Sequence, residues 1–248
     1  VKKILLFAAF LLTVLFMSAS AVAGGPDFPE KGWHKGSYFT ANAGMMQVTN
    51  DKHIITQRKF DSSIDPAFGI TYGFDIADWI GPMLQINYAT ATSQVGDPNN
   101  VNTPVTYNGI TYSANTFPIE NARQHVLDFS LFVRATLPYF TRAGWQPGMV
   151  KIIPYAKLGG TGQALFVNAP TNANKVGAFG GGPALGLGVE FFIWKGFFIA
   201  LDATEHLIMQ KAFYTNITDA AGVSRNTKVT DGGFRPHFSM AGLLGWHF

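Results

Sequence analysis

The chain has 248 residues, with 18 Lys and Arg against 15 Asp and Glu, a balance that excludes the basic stripe of a nucleic-acid binder. It contains no cysteine, which excludes disulfides and thiolate metal sites. Charged residues make up only 13% and aromatics 14%, with 22 Phe, whereas soluble domains carry about 25% charge, so an ordinary soluble surface is disfavoured as well.

In chain order, Lys2 and Lys3 precede an uncharged apolar run from Ile4 to Met17, and Ala21-Val22-Ala23 fits the small-x-small cleavage pattern of an export signal. The run is shorter than the roughly 20 residues that a membrane helix needs. Residues 1–23 are therefore expected to be a cleaved signal peptide and 24–248 the mature domain, in which 16 basic residues face 15 acidic ones. No later run is long enough for a membrane helix. If the mature chain enters a membrane, it must cross as strands closed into a barrel.

Alternation supplies the strands. Ser37 to Val48 reads as a strand whose faces stay open. Phe68, Ile70, Tyr72 and Phe74 then oppose Gly69, Thr71, Gly73 and Asp75; after a turn at Asp78 to Pro82, Leu84, Ile86 and Tyr88 oppose Gln85, Asn87 and Ala89. In Val105 to Tyr112 an Asn108-Gly109 turn joins two β-rich arms, so a small hairpin is expected beyond the bilayer. His125, Leu127, Phe129, Leu131, Val133, Ala135 and Leu137 oppose Val126, Asp128, Ser130, Phe132, Arg134 and Thr136. Lys151 to Thr161 is a strand whose faces are again open. Leu185, Leu187, Val189 and Phe191 oppose Gly186, Gly188 and Glu190; past a turn at Trp194 to Gly196, Phe197, Ile199, Leu201 and Ala203 oppose Ala200, Asp202 and Thr204. Finally Phe238, Met240, Leu244, Trp246 and Phe248 oppose Arg235, His237 and Ser239.

The expected fold is all-β, an eight-stranded antiparallel up-and-down transmembrane β-barrel. A lipocalin-like barrel would turn the apolar face inward. Three features favour the inverse. Gly69, Gly73, Gly186 and Gly188 share the polar parity, where a narrow interior has little room. Tight turns alternate with long connections at Thr49 to Pro66, Ala91 to Asn121, Gly162 to Lys175 and Gln210 to Gly232, although Tyr139 to Met149 breaks the pattern. Aromatics collect at strand ends: Trp79, Trp194, Phe197, Trp246 and Phe248 are expected in one girdle, and Phe68, Tyr88, Phe129 and Phe234 toward the other.

The opening "GSYFTANAG", the "IIPYAKLGG" fifth strand and the terminal Leu244, Trp246 and Phe248 together resemble the small outer-membrane barrels of the OmpA, OmpX and OmpW type. The resemblance implies a bacterial outer-membrane location, lipid and lipopolysaccharide as surroundings, and a monomer. It also implies that the terminal strand is an assembly signal for the barrel-assembly machinery; with the sequence ending on Phe248, no periplasmic domain of the full-length OmpA kind is expected to follow. The OmpW group in particular implies passage of small hydrophobic molecules.

Asp75, Gln85, Asn87, Asp128, Arg134, Lys157, Glu190, Asp202, Arg235 and His237 are expected to form a polar layer in the lumen. Asp75, Gln85, Arg134, Lys157, Glu190 and Asp202 fall at broadly similar heights. A buried charge needs a partner, so Arg134 is expected to contact Glu190, Asp202 or Asp75. This layer reads as a structural plug or as a selective pore. His237 and Ser239 suggest a hydrolase pair, but both point inward, Glu190 lies at the opposite rim, and no enzyme is expected. Gly159-Gly160-Thr161-Gly162 and Gly180-Gly181-Gly182 lack the Lys-Ser/Thr ending of a phosphate loop. His34, His53, His125 and His206 are expected at the rim or in loops, with no metal and no cofactor. Two functional classes remain open: a narrow channel or transporter for small solutes, hydrophobic ones among them, and a non-conducting structural or surface-interaction barrel.

Overall fold

The structure is a computed structural model and describes residues 36–47, 64–77, 79–94, 104–113, 116, 121–136, 151–168, 176–194 and 196–248. The signal segment 1–23 and the connection 139–149 lie outside the described residues.

Eight strands close the barrel: β1 (Gly36–Gln47), β2 (Ile64–Asp75), β3 (Ile80–Gln94), β6 (Asn121–Thr136), β7 (Lys151–Asn168), β8 (Val176–Trp194), β9 (Phe197–Gln210) and β12 (Gly233–His247). Two hairpins stand outside it, β4 (Val105–Tyr107) with β5 (Ile110–Tyr112), and β10 (Phe213–Thr218) with β11 (Ser224–Thr230). The order around the barrel is β1-β12-β9-β8-β7-β6-β3-β2, and β1 pairs with both β2 and β12, which leaves no open edge. All barrel pairings are antiparallel. Phe248 completes the seam, its N–H donating to Ser37 O at 2.9 Å and its carbonyl accepting from Ser37 N at 3.1 Å.

Orientation follows from the burial of alternate residues. Phe129 is 41% exposed, Leu187 67% and Phe238 40%, all on the outer wall, while Asp128, Lys157, Asp202 and His237 on the other parity are buried. A wall with Phe68, Leu131, Leu158, Leu201 and Leu244 exposed far exceeds the apolar patches that water-soluble proteins carry. Acyl chains are the solvent such a wall requires. Trp79 and Trp246 stand on it, Phe197 packs 6.3 Å from Trp246, and Trp79 roofs an outer apolar groove of about 560 Å³ with Ala135, Pro154 and Leu187. The side chain of Trp194 lies outside the described residues.

The faces left open by alternation are now assigned. On β1, Tyr38, Thr40, Asn42 and Met46 point inward; on β7, Ile153, Tyr155, Lys157, Thr161, Gln163, Leu165 and Val167 do so. Aromatic and aliphatic residues on the inner face blur the polar parity there. Glycines on facing strands make the space: a Cβ at Gly73 would sit 2.0 Å from the Tyr38 ring, one at Gly188 2.2 Å from the Tyr155 ring, and one at Gly245 2.3 Å from the Phe198 ring.

Two connections differ from expectation. The first half of Gly162 to Lys175 is strand, since β7 runs on to Asn168, because alternation persists beyond the glycines: Gln163, Leu165 and Val167 are buried while Phe166 is exposed. Gln210 to Gly232 folds as the β10–β11 hairpin, which uses Gly222 at φ +80° in its turn. The Asn108-Gly109 hairpin forms as expected, with φ of 50° and 76°, the double positive pair of a type I′ turn. Strands of 18 and 19 residues in β7 and β8 exceed the roughly 9–11 needed to span a bilayer. Their extra length carries the two hairpins, whose Tyr112, Ile217 and Val229 pack with Val167 of β7 into a small apolar core. Ala220 N donates to Thr111 O at 2.9 Å and ties one hairpin to the other.

Candidate functional site: the polar lumen

The lumen is built as a stack of levels. At the floor, Tyr38 stacks on His247 at 4.9 Å and Phe192 packs on Phe198 at 5.1 Å. The Arg134 guanidinium lies 5.0 Å over the Tyr38 ring and 4.8 Å over the Tyr155 ring, an arrangement in which the aromatic faces replace part of its hydration.

Above the floor, Arg134 Nη2 on β6 donates to Glu190 Oε2 on β8 at 2.6 Å, and Nη1 stands 3.8 Å from Asp75 Oδ2 on β2. In the closed order β2 and β8 are four strands apart, so this trio runs from one wall to the opposite one. Lys157 on β7 repeats the device: Nζ donates to Asp202 Oδ1 on β9 at 2.6 Å and to Gln85 Oε1 on β3 at 3.0 Å, with the Phe132 ring 4.6 Å away. Tyr155 Oη donates to the other Asp202 oxygen at 2.7 Å, which joins the two levels, and Thr204 donates to Oδ1 at 3.0 Å. Burial of unpaired charge would be prohibitive; here Arg134 and Lys157 each have an opposite charge in reach, and where the Arg134 Nε and Nη1 groups make no hydrogen bond the Tyr38 and Tyr155 rings face the guanidinium.

A third level crosses higher up. His237 Nε2 on β12 meets Asp128 Oδ2 on β6, four strands away, at 2.9 Å. Gln163 Nε2 donates to Asp128 Oδ1 at 3.1 Å, and Gln210 donates to Gln163 Oε1 at 2.8 Å. His206 stacks on His237 with centroids 4.4 Å apart, and its two nitrogens meet Thr161 Oγ1 at 2.9 Å and Ser239 Oγ at 3.2 Å. Above this, Met46, Ala67, Ala89, Val126, Leu165 and Ala178 close an apolar ceiling.

Of the residues expected in the lumen, Asp75, Gln85, Asp128, Arg134, Lys157, Glu190, Asp202 and His237 are all buried and enter these contacts. Asn87 is buried on the same inner face, its Oδ1 2.2 Å from where a Gly69 Cβ would stand, and Arg235 is half-buried two residues beyond His237. Arg134 meets two of its three expected partners, Glu190 and Asp75; Asp202 serves Lys157 instead. The group expected at one height resolves into two joined levels. One expectation is corrected: His206 is 0% exposed inside the barrel, neither at the rim nor in a loop. Its place was legible, since Asp202, Thr204 and His206 continue one parity. With Asp128 and His237 it forms the one group of potential metal ligands among the described residues, their ligand atoms all within 4.8 Å of one another.

A closed eight-stranded barrel with an apolar outer wall and a hydrogen-bonded polar interior defines an integral membrane β-barrel. The chain belongs to the outer membrane protein beta-barrel domain family, whose model matches residues 8–226, and so to the bacterial outer membrane. Among solved structures it is similar to the outer membrane protein OprG from Pseudomonas aeruginosa, at 15% identity and TM-score 0.50 over 87% of this chain and 98% of that one. Neisserial surface protein A aligns at 10% identity and TM-score 0.47 over 86% and 97%, and Escherichia coli outer membrane protein W at 13% and 0.33 over 87% and 100%. At such identities the likeness to OprG concerns the fold alone. No curated protein matches the sequence.

Proposed function

We propose that this is a monomeric, non-conducting, non-enzymatic outer-membrane barrel whose lumen is a brace and whose working surface is the pair of extracellular hairpins, set among lipid and lipopolysaccharide. The observation that carries this reading is the set of wall-to-wall contacts at successive heights, Asp75–Arg134–Glu190, Gln85–Lys157–Asp202 and Asp128–His237, under an apolar ceiling. An ion moving along the axis would have to break each in turn, and buried pairs of this kind are costly to break. Ser239 bonds to His206 deep inside, out of reach of a lipid substrate. In this proposal the export signal at residues 1–23 is cleaved, and the terminal strand with Leu244, Trp246 and Phe248 is read by the barrel-assembly machinery. Planar-bilayer recording of the purified protein tests the closed lumen: the expected record is flat, and a reproducible unitary conductance refutes it.

A second reading, transport of small hydrophobic solutes, has one observation in its favour. Pairing between β8 and β9 is absent at Gly182 and Pro183, and the neighbouring wall carries Gly159, Gly160, Gly162, Gly180 and Gly181. Proline removes a ladder hydrogen bond and glycines add no side-chain cover. A solute leaving sideways into the bilayer there would pass at the height of the third polar level, where Gly182 pairs with Thr161. Uptake of an apolar dye by vesicles with and without the protein separates the readings; equal uptake eliminates transport.

A further inference from the structure

The third level holds more imidazole than a brace needs. Asp128 Oδ2 is already met by His237 Nε2 at 2.9 Å. His206 nevertheless stacks against His237 at 4.4 Å with only 8° between the rings, an arrangement in which two charged rings would repel. A packed apolar side chain in its place would fill the same volume at no desolvation cost. A dication uses all three groups at once, because it takes neutral imidazole nitrogens and a carboxylate oxygen together.

We infer that Asp128, His206 and His237 form a binding site for a divalent metal ion of the zinc class. Two nitrogens and one carboxylate oxygen suit zinc and its borderline neighbours, whereas calcium and magnesium take oxygen alone. The ligand atoms come from β6, β9 and β12 and already lie within 4.8 Å of one another. Bonds of about 2.0–2.1 Å in a tetrahedron set ligands about 3.3 Å apart, a closure that tilting the two rings out of their stack supplies. Outer contacts that hold metal ligands in place are present. Thr161 Oγ1 meets His206 Nδ1 at 2.9 Å and is itself bonded to Ser130 at 2.7 Å. Gln163 holds the second Asp128 oxygen at 3.1 Å and is anchored by Gln210 at 2.8 Å. Ser239 Oγ, 3.2 Å from His206 Nε2, stands at the fourth corner. Lys157 and Asp202 close the level below and the apolar ceiling closes it above, so the ion enters while the strands assemble and exchanges slowly afterwards. The inference is independent of whether the barrel conducts.

The test is to refold the full barrel in detergent with one equivalent of Co(II) or Zn(II), strip loose ion with a chelator, and measure retained metal and the Co(II) d–d spectrum. Wild type is expected to retain one ion per chain with a tetrahedral Co(II) spectrum. His206→Gln and His237→Gln each weaken retention by about tenfold or more, while His125→Gln, on the outer wall against Tyr88, matches wild type. Heat-modifiable gel mobility shows independently which variants fold. The inference is overturned if folded wild type keeps no ion, or if the folded double variant His206→Gln with His237→Gln keeps as much. Should the variants not fold, imidazole ¹⁵N shifts of wild type refolded with and without Zn(II) decide it: movement at His206 and His237 but not His125 supports the site, and no movement overturns it.

Discussion

Arg134–Glu190 in the lumen and Lys228–Asp231 on the outer hairpin are both ion pairs, yet they do different work. The first is sealed, with side-chain exposures of 1% and 4%; the second stands open at 37% and 62%. Inside, each charge has already lost its water, so the partner is what makes burial tolerable, and its removal leaves a charge with nowhere to go. Outside, water takes over at once. Within one chain, then, the same chemistry is structural in one region and nearly neutral in the other. The hairpins hold together instead through Tyr112, Val167, Ile217 and Val229, a small apolar core.

The strongest way to break this comparison is Glu190→Ala. Asp75, at 3.8 Å from Arg134, is a weaker substitute, and the expected loss is about 3–5 kcal/mol, read as an earlier midpoint in denaturant unfolding followed by tryptophan fluorescence. The double variant Arg134→Gln with Glu190→Ala should lose less than the single one. If Glu190→Ala unfolds like wild type, the cross-barrel pair is not a brace. Gly188→Val comes next. Its new side chain would enter the space of the Tyr155 ring, whose hydroxyl bonds Asp202 at 2.7 Å. Overpacking of this kind costs about 1–3 kcal/mol; the same unfolding assay checks it, and Tyr155→Phe combined with Gly188→Val should not recover the loss, because the clash is with the ring.

The sequence carries the inner face well wherever polarity and parity coincide. Asp128 and Arg134 on β6, Glu190 on β8 and Asp202 on β9 all sit between apolar neighbours of the opposite parity, and a membrane barrel has only one place to put them. It carries the face poorly on β1 and β7. There Tyr38, Ile153 and Tyr155 point inward, and what makes room for them is glycine on another strand, Gly73 for Tyr38 and Gly188 for Tyr155. That complementarity is non-local, so no window of one strand displays it. His206 is harder to place for a simpler reason: it continues the parity of Asp202 and Thr204, but a lone histidine near a strand end fits a rim equally well. Partner choice lay beyond alternation as well: Lys157 and Arg134 share a sign, and only the register assigns Asp202 to one and Glu190 to the other.

The outer hairpin offers a smaller, pH-dependent effect. Asp219 accepts hydrogen bonds from Arg225 Nε at 2.9 Å and from the Val223 and Ala221 amides, each at 2.9 Å. The Arg225 side-chain bond first, then the Val223 amide, hold its carboxyl below the ordinary carboxylate value. A carboxyl whose pKa is lowered on folding stabilises the fold fully above its unfolded pKa, and that contribution disappears as pH falls through the lowered folded value. Protease cleavage between Thr218 and Ser224 is therefore expected to rise only in acid below the ordinary carboxylate range, while Asp219→Asn cleaves at a rate independent of pH there. Equal acid sensitivity in the variant would assign the effect to another group.

The smallest effect expected is at Lys228→Ala, and it sharpens the opening contrast most directly. Lys228 meets Asp231 three residues on, and the hydrogen bond it donates to that carboxylate raises the ammonium pKa. Both groups reach water, so either one regains hydration when its partner is removed, and ion pairs of this exposure add little measurable stability. Lys228→Ala should leave both the unfolding midpoint and the hairpin cleavage rate where they are. The apolar core beneath, with Val229 fully buried, is untouched by the change. A clear loss at Lys228 comparable to that at Glu190 would mean that exposure does not divide the two regions, and the hairpin pair would then have to be counted as part of the brace.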